Sequence, residues 1–216
     1  MQVHLEPHPL LELGLVSAEL PASLGELATP DWLLAMLSPE PGAARVGEDE
    51  TRAESRNLLR PGGYKPTGRG KPASEYLARA VAEGSLTSIN LVVDVNNAVS
   101  LAAGLAISVV DSELATPPLS VARGREGESY VFNTSGQEIR LDNLLCLRDA
   151  EGPCANAVRD SQRTKTHDGT RRLLFVVWGT SALEGRTELA VEQLRGLLTR
   201  AGAEVSGSAV LAAPRD

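Results

Sequence analysis

The sequence predicts an α+β protein, and three observations carry that reading. Segments with helical periodicity come first, a block of short strand-like segments follows, and one more helix closes the order, as in α+β layering. Twenty Gly and thirteen Pro imply many turns, as a sheet-rich fold with short connections needs. Only 3% of the 216 residues are aromatic, so the core must rest on Leu, Val, Ala and Ile. The length fits one domain, residues 1–216, with residues 1–50 as an N-terminal extension of it.

Leu10 to Val16 reads as an early strand, closed by Pro21. Pro30-Asp31 opens a short amphipathic helix through Trp32, Leu33, Leu34, Met36 and Leu37. Pro39 to Gly47 is a turn-rich connection, and Glu48 to Leu59 a charged helix. The stretch Arg60 to Pro72 follows, a thirteen-residue loop with four glycines, three prolines and four cations. Its glycines allow backbone N–H groups to approach phosphates, although it matches no Walker or dinucleotide fingerprint. Ser74 is the expected cap of a helix carrying Leu77, Ala80 and Val81, which Gly84 stops.

Asn90-Leu-Val-Val-Asp94-Val-Asn96-Asn97 comes next and is the most informative segment. As a helix to about Ala103 it is apolar on most faces, and Asn90, Asp94 and Asn97 fall at i, i+4 and i+7, on one face. Unpartnered buried polar groups cost about 1–3 kcal/mol each, so this stripe looks either into a pocket or onto irregular backbone that it ties down. Beyond it the period shortens. Leu119–Arg123, Ser129–Phe132, Glu138–Leu141, Leu144–Arg148 and Ala155–Arg159 read as strands separated by turn signals. Leu173 to Trp178 is a continuous apolar run, as expected of a strand buried on both faces. A last helix runs from about Leu183 to Ala201, with Ser181 and Glu184 as its capping box and Gly202 as its stop.

The net charge of −7 argues against a non-specific nucleic-acid coat. The charge is uneven, however. Arg60, Lys65, Arg69, Lys71 and Arg79 face only Glu75 between positions 60 and 80, and Arg159, Arg163, Lys165, Arg171 and Arg172 cluster in a second segment. The fold could join the two into one positive surface, or leave them as scattered solvated charge. Cys146 and Cys154 are too few for a disulfide scaffold and lack metal-ligand spacing, which leaves a structural pair of strand thiols, no metal site and no cofactor. No signal peptide is apparent at Met1, and the most apolar window is broken by Asp94, Asn96, Asn97 and Gly104. A cytoplasmic protein without membrane association is expected. His4, His8 and His167 have no Ser-His-Asp arrangement around them.

The segment Asn90, Val92-Val93-Asp94, Asn96-Asn97 and Gly104 to Asp111 resembles the B3/B4 module of the bacterial phenylalanyl-tRNA synthetase beta subunit. That family reads Asn, Val-Val-Asp, Thr-Asn, then Gly-Gln-Pro-Leu-His-Ala-Phe-Asp at the same spacing. Strand Leu119–Arg123, the Glu126-Gly127-Glu128 turn and Asp160 to Thr170 continue the likeness, which covers roughly Arg60 to Val177. No class II catalytic-core motif is present. The resemblance implies a three-layer β/β/α fold, contact with the aminoacylated 3′ end of tRNA, and hydrolysis of mischarged aminoacyl-tRNA. Asn97 and Asn96 stand at the family's pocket Asn and Thr, Ser108 at its His, and the region of Val176 at its tyrosine-reading Glu.

On that likeness Asn97, Asn96 and Ser108 are the candidate catalytic residues, and Asn90, Asp94, Gly104 and Asp111 the candidate aminoacyl pocket. Arg60, Tyr64, Lys65, Arg69, Lys71, Arg163 and Lys165 are the candidate tRNA contacts. Catalysis would rest on orienting a water and on oxyanion-type donors. The other reading is a binding module without chemistry, for an amino acid, a small metabolite or RNA. Loss of the His and Glu favours a different, less polar aminoacyl group over tyrosine.

Overall fold

A computed structural model describes residues 2–37 and 48–215. The elements in chain order are β1 (Val3–Leu5), β2 (Leu11–Glu19), α1 (Asp31–Leu37), α2 (Glu48–Leu59), α3 (Ala73–Ala82), α4 (Leu91–Ala103), β3 (Ile107–Asp111), β4 (Leu119–Arg123), β5 (Ser129–Val131), β6 (Glu138–Arg140), β7 (Leu145–Asp149), β8 (Gly152–Asn156), β9 (Arg172–Thr180), α5 (Arg186–Arg200) and β10 (Glu204–Ala212). The turn-rich connection from Pro39 to Gly47 lies outside the described residues.

The apolar run 173–178 organises the molecule. It lies within β9, an interior strand of a four-stranded antiparallel sheet ordered β10-β2-β9-β3. Side chains of a strand alternate between faces, and both faces of β9 are covered. Leu174, Val176 and Trp178 join Leu11, Leu13 and Leu15 of β2 against the second sheet, ordered β1-β4-β7-β8, whose Val121, Leu145 and Leu147 complete that layer. Leu173, Phe175 and Val177 point the other way, against Val92, Val95 and Val99 of α4 and Val191, Leu194 and Leu198 of α5. The architecture is therefore the expected α+β fold in three layers, sheet on sheet on helices. A β5-β6 hairpin stands beside the second sheet.

Several local expectations differ from the structure. Strand β8 lies three residues earlier than its apolar pattern suggests, because Gly152 and Pro153 pair with Asp149 and Arg148 and the chain turns after Asn156. The cap of α3 is Pro72, and Ser74 sits buried inside the first turn. The capping box from Ser181 to Glu184 does not form. Leu183 N–H bonds the Thr180 carbonyl in a turn, and α5 begins only at Arg186, after Gly185 at φ 70°. Strand β10 follows that helix, with no segment of the sequence reading as its counterpart.

His8 is a structural residue. It is 3% exposed, and its Nδ1 accepts N–H bonds from Leu10 (3.2 Å) and Leu11 (3.0 Å) at the entry of β2. Burial, aided by the Arg123 charge, lowers its pKa from 6.5 to about 4. A folded pKa below the unfolded one means a contribution intact above pH 6.5 and lost as pH falls to about 4. The expected loss on acidification is about 3 kcal/mol, and His8→Gln should flatten this part of the pH profile of the urea midpoint.

Candidate functional site

Helix α4 holds the polar stripe, and its ends are well defined. Asn90 is the N-cap, its Oδ1 accepting the Val93 N–H at 2.9 Å, and Gly104 ends the helix at φ 71°. A side chain at Gly104 would strike Thr51 of α2, whose Cγ2 lies 2.7 Å from the place of a Cβ. Asp94 is fully buried. Its carboxylate accepts from Thr29 Oγ1 at 2.7 Å, from Ile89 N–H at 3.1 Å and from Ser88 Oγ. Three donors replace the hydration that burial removes, and they tie α4 to the segments preceding α1 and α4. Asn96 and Asn97 are half-buried one turn further on, and Asn96 Oδ1 is enclosed without a hydrogen-bond partner.

Ser108 lies elsewhere. It is on β3 opposite Val176 of β9, and this pair faces the second sheet, whereas α4 covers the opposite face. Ser108 and Val176 are thus cross-strand neighbours, and the sheet separates them from Asn96 and Asn97. Ser108 is 1% exposed, and its hydroxyl donates to Asp160 Oδ1 at 2.7 Å and accepts from Trp178 Nε1 at 2.9 Å. The Trp178 ring is itself buried on this face.

Around Asp160 lies a polar cluster that sequence reasoning missed. Burial pushes the Asp160 carboxyl up to about 6, against the Ser108 hydroxyl and the Asn156 N–H that favour its charged form. Asn156 accepts N–H bonds from Val158 and Arg159 and donates to the Tyr130 hydroxyl, which in turn donates to the Arg159 carbonyl. Burial raises Tyr130 well above 10 and lowers Lys165, whose ammonium donates to the Phe132 carbonyl. No local signal marks this cluster, since Asn156 ends β8, Asp160 follows a bend, and the two meet Ser108 only across the fold. Cys146 and Cys154 are buried nearby with both thiols pushed up, Cys154 to about 12, as inert strand thiols are.

Asp111, at the end of β3, accepts from Thr170 Oγ1 at 2.6 Å and from Glu113 N–H at 2.9 Å, with His167 Nε2 at 3.4 Å. The candidate pocket residues are therefore spread out. Asn90 lines an open cleft of about 420 Å³ with Leu24, Thr29, Leu34, Ile89 and Asp168. Gly104 lines a cavity of about 250 Å³ at the other end of α4, with Thr51, Ser74, Ala78, Ala102 and Arg186.

The chain just after the first basic loop bonds the chain just before the second segment. Ala73 N–H, at the end of the loop 60–72, bonds the Ala157 carbonyl at 2.8 Å, and Arg159 stacks on the Phe132 ring at 4.5 Å. Within the second segment most cations are taken. Arg163 forms a bidentate pair with buried Asp149 (2.8 and 2.7 Å), Arg171 faces Glu19, Arg172 pairs with Glu113, and Lys165 turns inward. Tyr64 of the loop and Tyr76 of α3 donate to the loop carbonyls of Gly70 (3.0 Å) and Gly68 (2.7 Å), which fixes its course. Arg60, Lys65 and Arg69 are exposed and Lys71 half-exposed, and among the described residues none of the four is ion-paired.

The B3/4 domain family matches residues 65–195, and the chain belongs to that family. No curated relative matches it in sequence. Among solved structures it is similar to an N-terminal fragment of the phenylalanyl-tRNA synthetase beta-subunit from Pyrococcus horikoshii, at 14% identity and a TM-score of 0.46. That likeness covers 58% of this chain and 47% of the fragment, so the chain spans about half of that relative's length. No helix among the described residues is long and apolar enough to cross a membrane.

Proposed function

We propose that this B3/4 domain binds the acceptor end of a tRNA, with the loop 60–72 as its phosphate-binding element. The observation that carries this reading is the set of unpaired loop cations, Arg60, Lys65, Arg69 and Lys71, in a protein of net charge −7. Cations without carboxylate partners on a loop held by Tyr64 and by Tyr76 of α3 are placed to displace counterions from a phosphate backbone. The stacked Arg159 and Phe132 next to it offer a planar, positively charged platform of the kind on which unpaired bases stack. Arg163 and Lys165 serve the scaffold in this reading, since their charges are already engaged.

A second reading, hydrolysis of a mischarged aminoacyl ester, draws on the orphaned Asn96 Oδ1 beside Asn97. There the two carboxamides would orient a water, and Ser108 would act only through the sheet that supports them. Both readings are tested in one titration of labelled tRNA, charged and uncharged, across a series of salt concentrations. Binding should weaken steeply with salt, and Lys65→Ala/Arg69→Ala/Lys71→Ala should lower the slope of log K against log[salt] by about 2–3 units. An unchanged slope, or no retention of tRNA at low salt, rejects the RNA reading. Ester loss above the protein-free control, abolished in Asn96→Ala/Asn97→Ala, would establish the hydrolase, and its absence would reject it.

A further inference from the structure

Strand β10 has an open outer edge whose pattern fits a second copy of itself. It runs for nine residues at the margin of the central sheet, and among the described residues it is paired only with β2. In an antiparallel ladder every second residue exchanges both main-chain hydrogen bonds with its opposite. The Ala213 N–H bonds the Leu11 carbonyl at 3.0 Å, so Leu211 and Ala209 also point their N–H and C=O groups inward, towards Leu13 and Leu15. On the other side of β2, the Leu20 N–H bonds the Arg171 carbonyl, which gives the same alternation. Ser208, Val210 and Ala212 therefore direct their N–H and C=O groups off the sheet.

Natural edges are usually protected by lysine, proline, inward charge or a bulge. From Val205 to Ala213 this strand has no charged residue and no proline, and its one register shift lies at its beginning, between Val205 and Gly207. We infer that two copies of the chain associate by antiparallel β10–β10 pairing about a two-fold axis at Val210. In that register Val210 exchanges both bonds with its symmetry mate, and Ser208 pairs with Ala212 in each direction. Two four-stranded sheets then continue as one. An isologous contact places each residue opposite its own counterpart's complement. Here it sets Arg215 of one copy opposite Val205 and beside Glu204 of the other, opposite charges at both ends of an uncharged strand.

The test is sedimentation velocity over a dilution series, with residue-resolved amide exchange at the two extremes. A dimer is expected at high concentration, and in it the amides of Ser208, Val210 and Ala212 become protected, while those of Ala209 and Leu211 are protected at every concentration. Ser208→Pro removes only an outward N–H, a change that an edge strand tolerates, and should abolish the dimer with the fold retained. Glu204→Lys should weaken association and Glu204→Lys/Arg215→Glu should restore it. A monomer at all concentrations overturns the proposal. So does a dimer that survives Ser208→Pro with the amides of Val210 and Ala212 still exchanging freely.

Discussion

Trp178→Ala is expected to destabilise the protein by about 3–5 kcal/mol, the range for truncating a large buried aromatic side chain. Trp178 is 1% exposed and lies between the two sheets, opposite Leu13 of β2. Removing it opens a cavity that neither sheet can close without shifting its ladder, and takes away the N–H that holds Ser108 Oγ. Trp178→Phe keeps most of the volume and loses the hydrogen bond alone, for about 1 kcal/mol. Urea midpoints of the two variants separate packing from polarity. A Trp178→Ala cost below 1 kcal/mol would mean that the space around Ser108 can open, which would return that hydroxyl to the list of groups able to meet a ligand.

Asp94→Ala is the second large effect, about 3–4 kcal/mol, because it strands the Thr29 hydroxyl, the Ser88 hydroxyl and the Ile89 N–H together. Asp94→Asn retains one acceptor oxygen and should cost about 1–2 kcal/mol, since hydroxyl groups can turn to suit it. Thermal unfolding measures both. If Asp94→Ala unfolds within 1 kcal/mol of the parent, the network is dispensable and Asp94 is better read as a ligand contact. The geometry assigns it to the scaffold, where it sets the angle at which α4 presents Asn96 and Asn97.

These two residues illustrate what can be read from a linear chain. Asp94 stood out in the sequence because a carboxylate in a run of Val and Leu must have a partner. Its partners, residues 29 and 88–89, could not be named, since Thr29 is sixty-five positions away and Ser88 lies in the segment before the helix. Ser108 was visible as a family position, but its role depends on Asp160, fifty-two residues downstream. Asp160 read as one charge in a basic segment until the fold buried it.

The same division applies to the basic segments. Both segments carry five cations, yet between 159 and 172 Arg163, Arg171 and Arg172 each meet a carboxylate contributed by another part of the chain. The loop 60–72 has four cations, and none of them meets a carboxylate among the described residues.

What the sequence by itself determined is the layered α+β architecture, through signals that are local. The unbroken apolar run 173–178 requires cover on both faces, the period of 91–103 sets a helix, and the Gly and Pro turns divide the strands between them. What only the tertiary structure decided is which polar groups meet, and which stay available. Strand β10 shows the physical reason most directly. Its Ser, Gly and Ala have little preference for a strand, and it exists because residues 11–19 and α5 offer it a ladder and a surface. Pairings of that kind are fixed by contacts almost two hundred positions apart, where local propensity has no influence and packing of the whole core does.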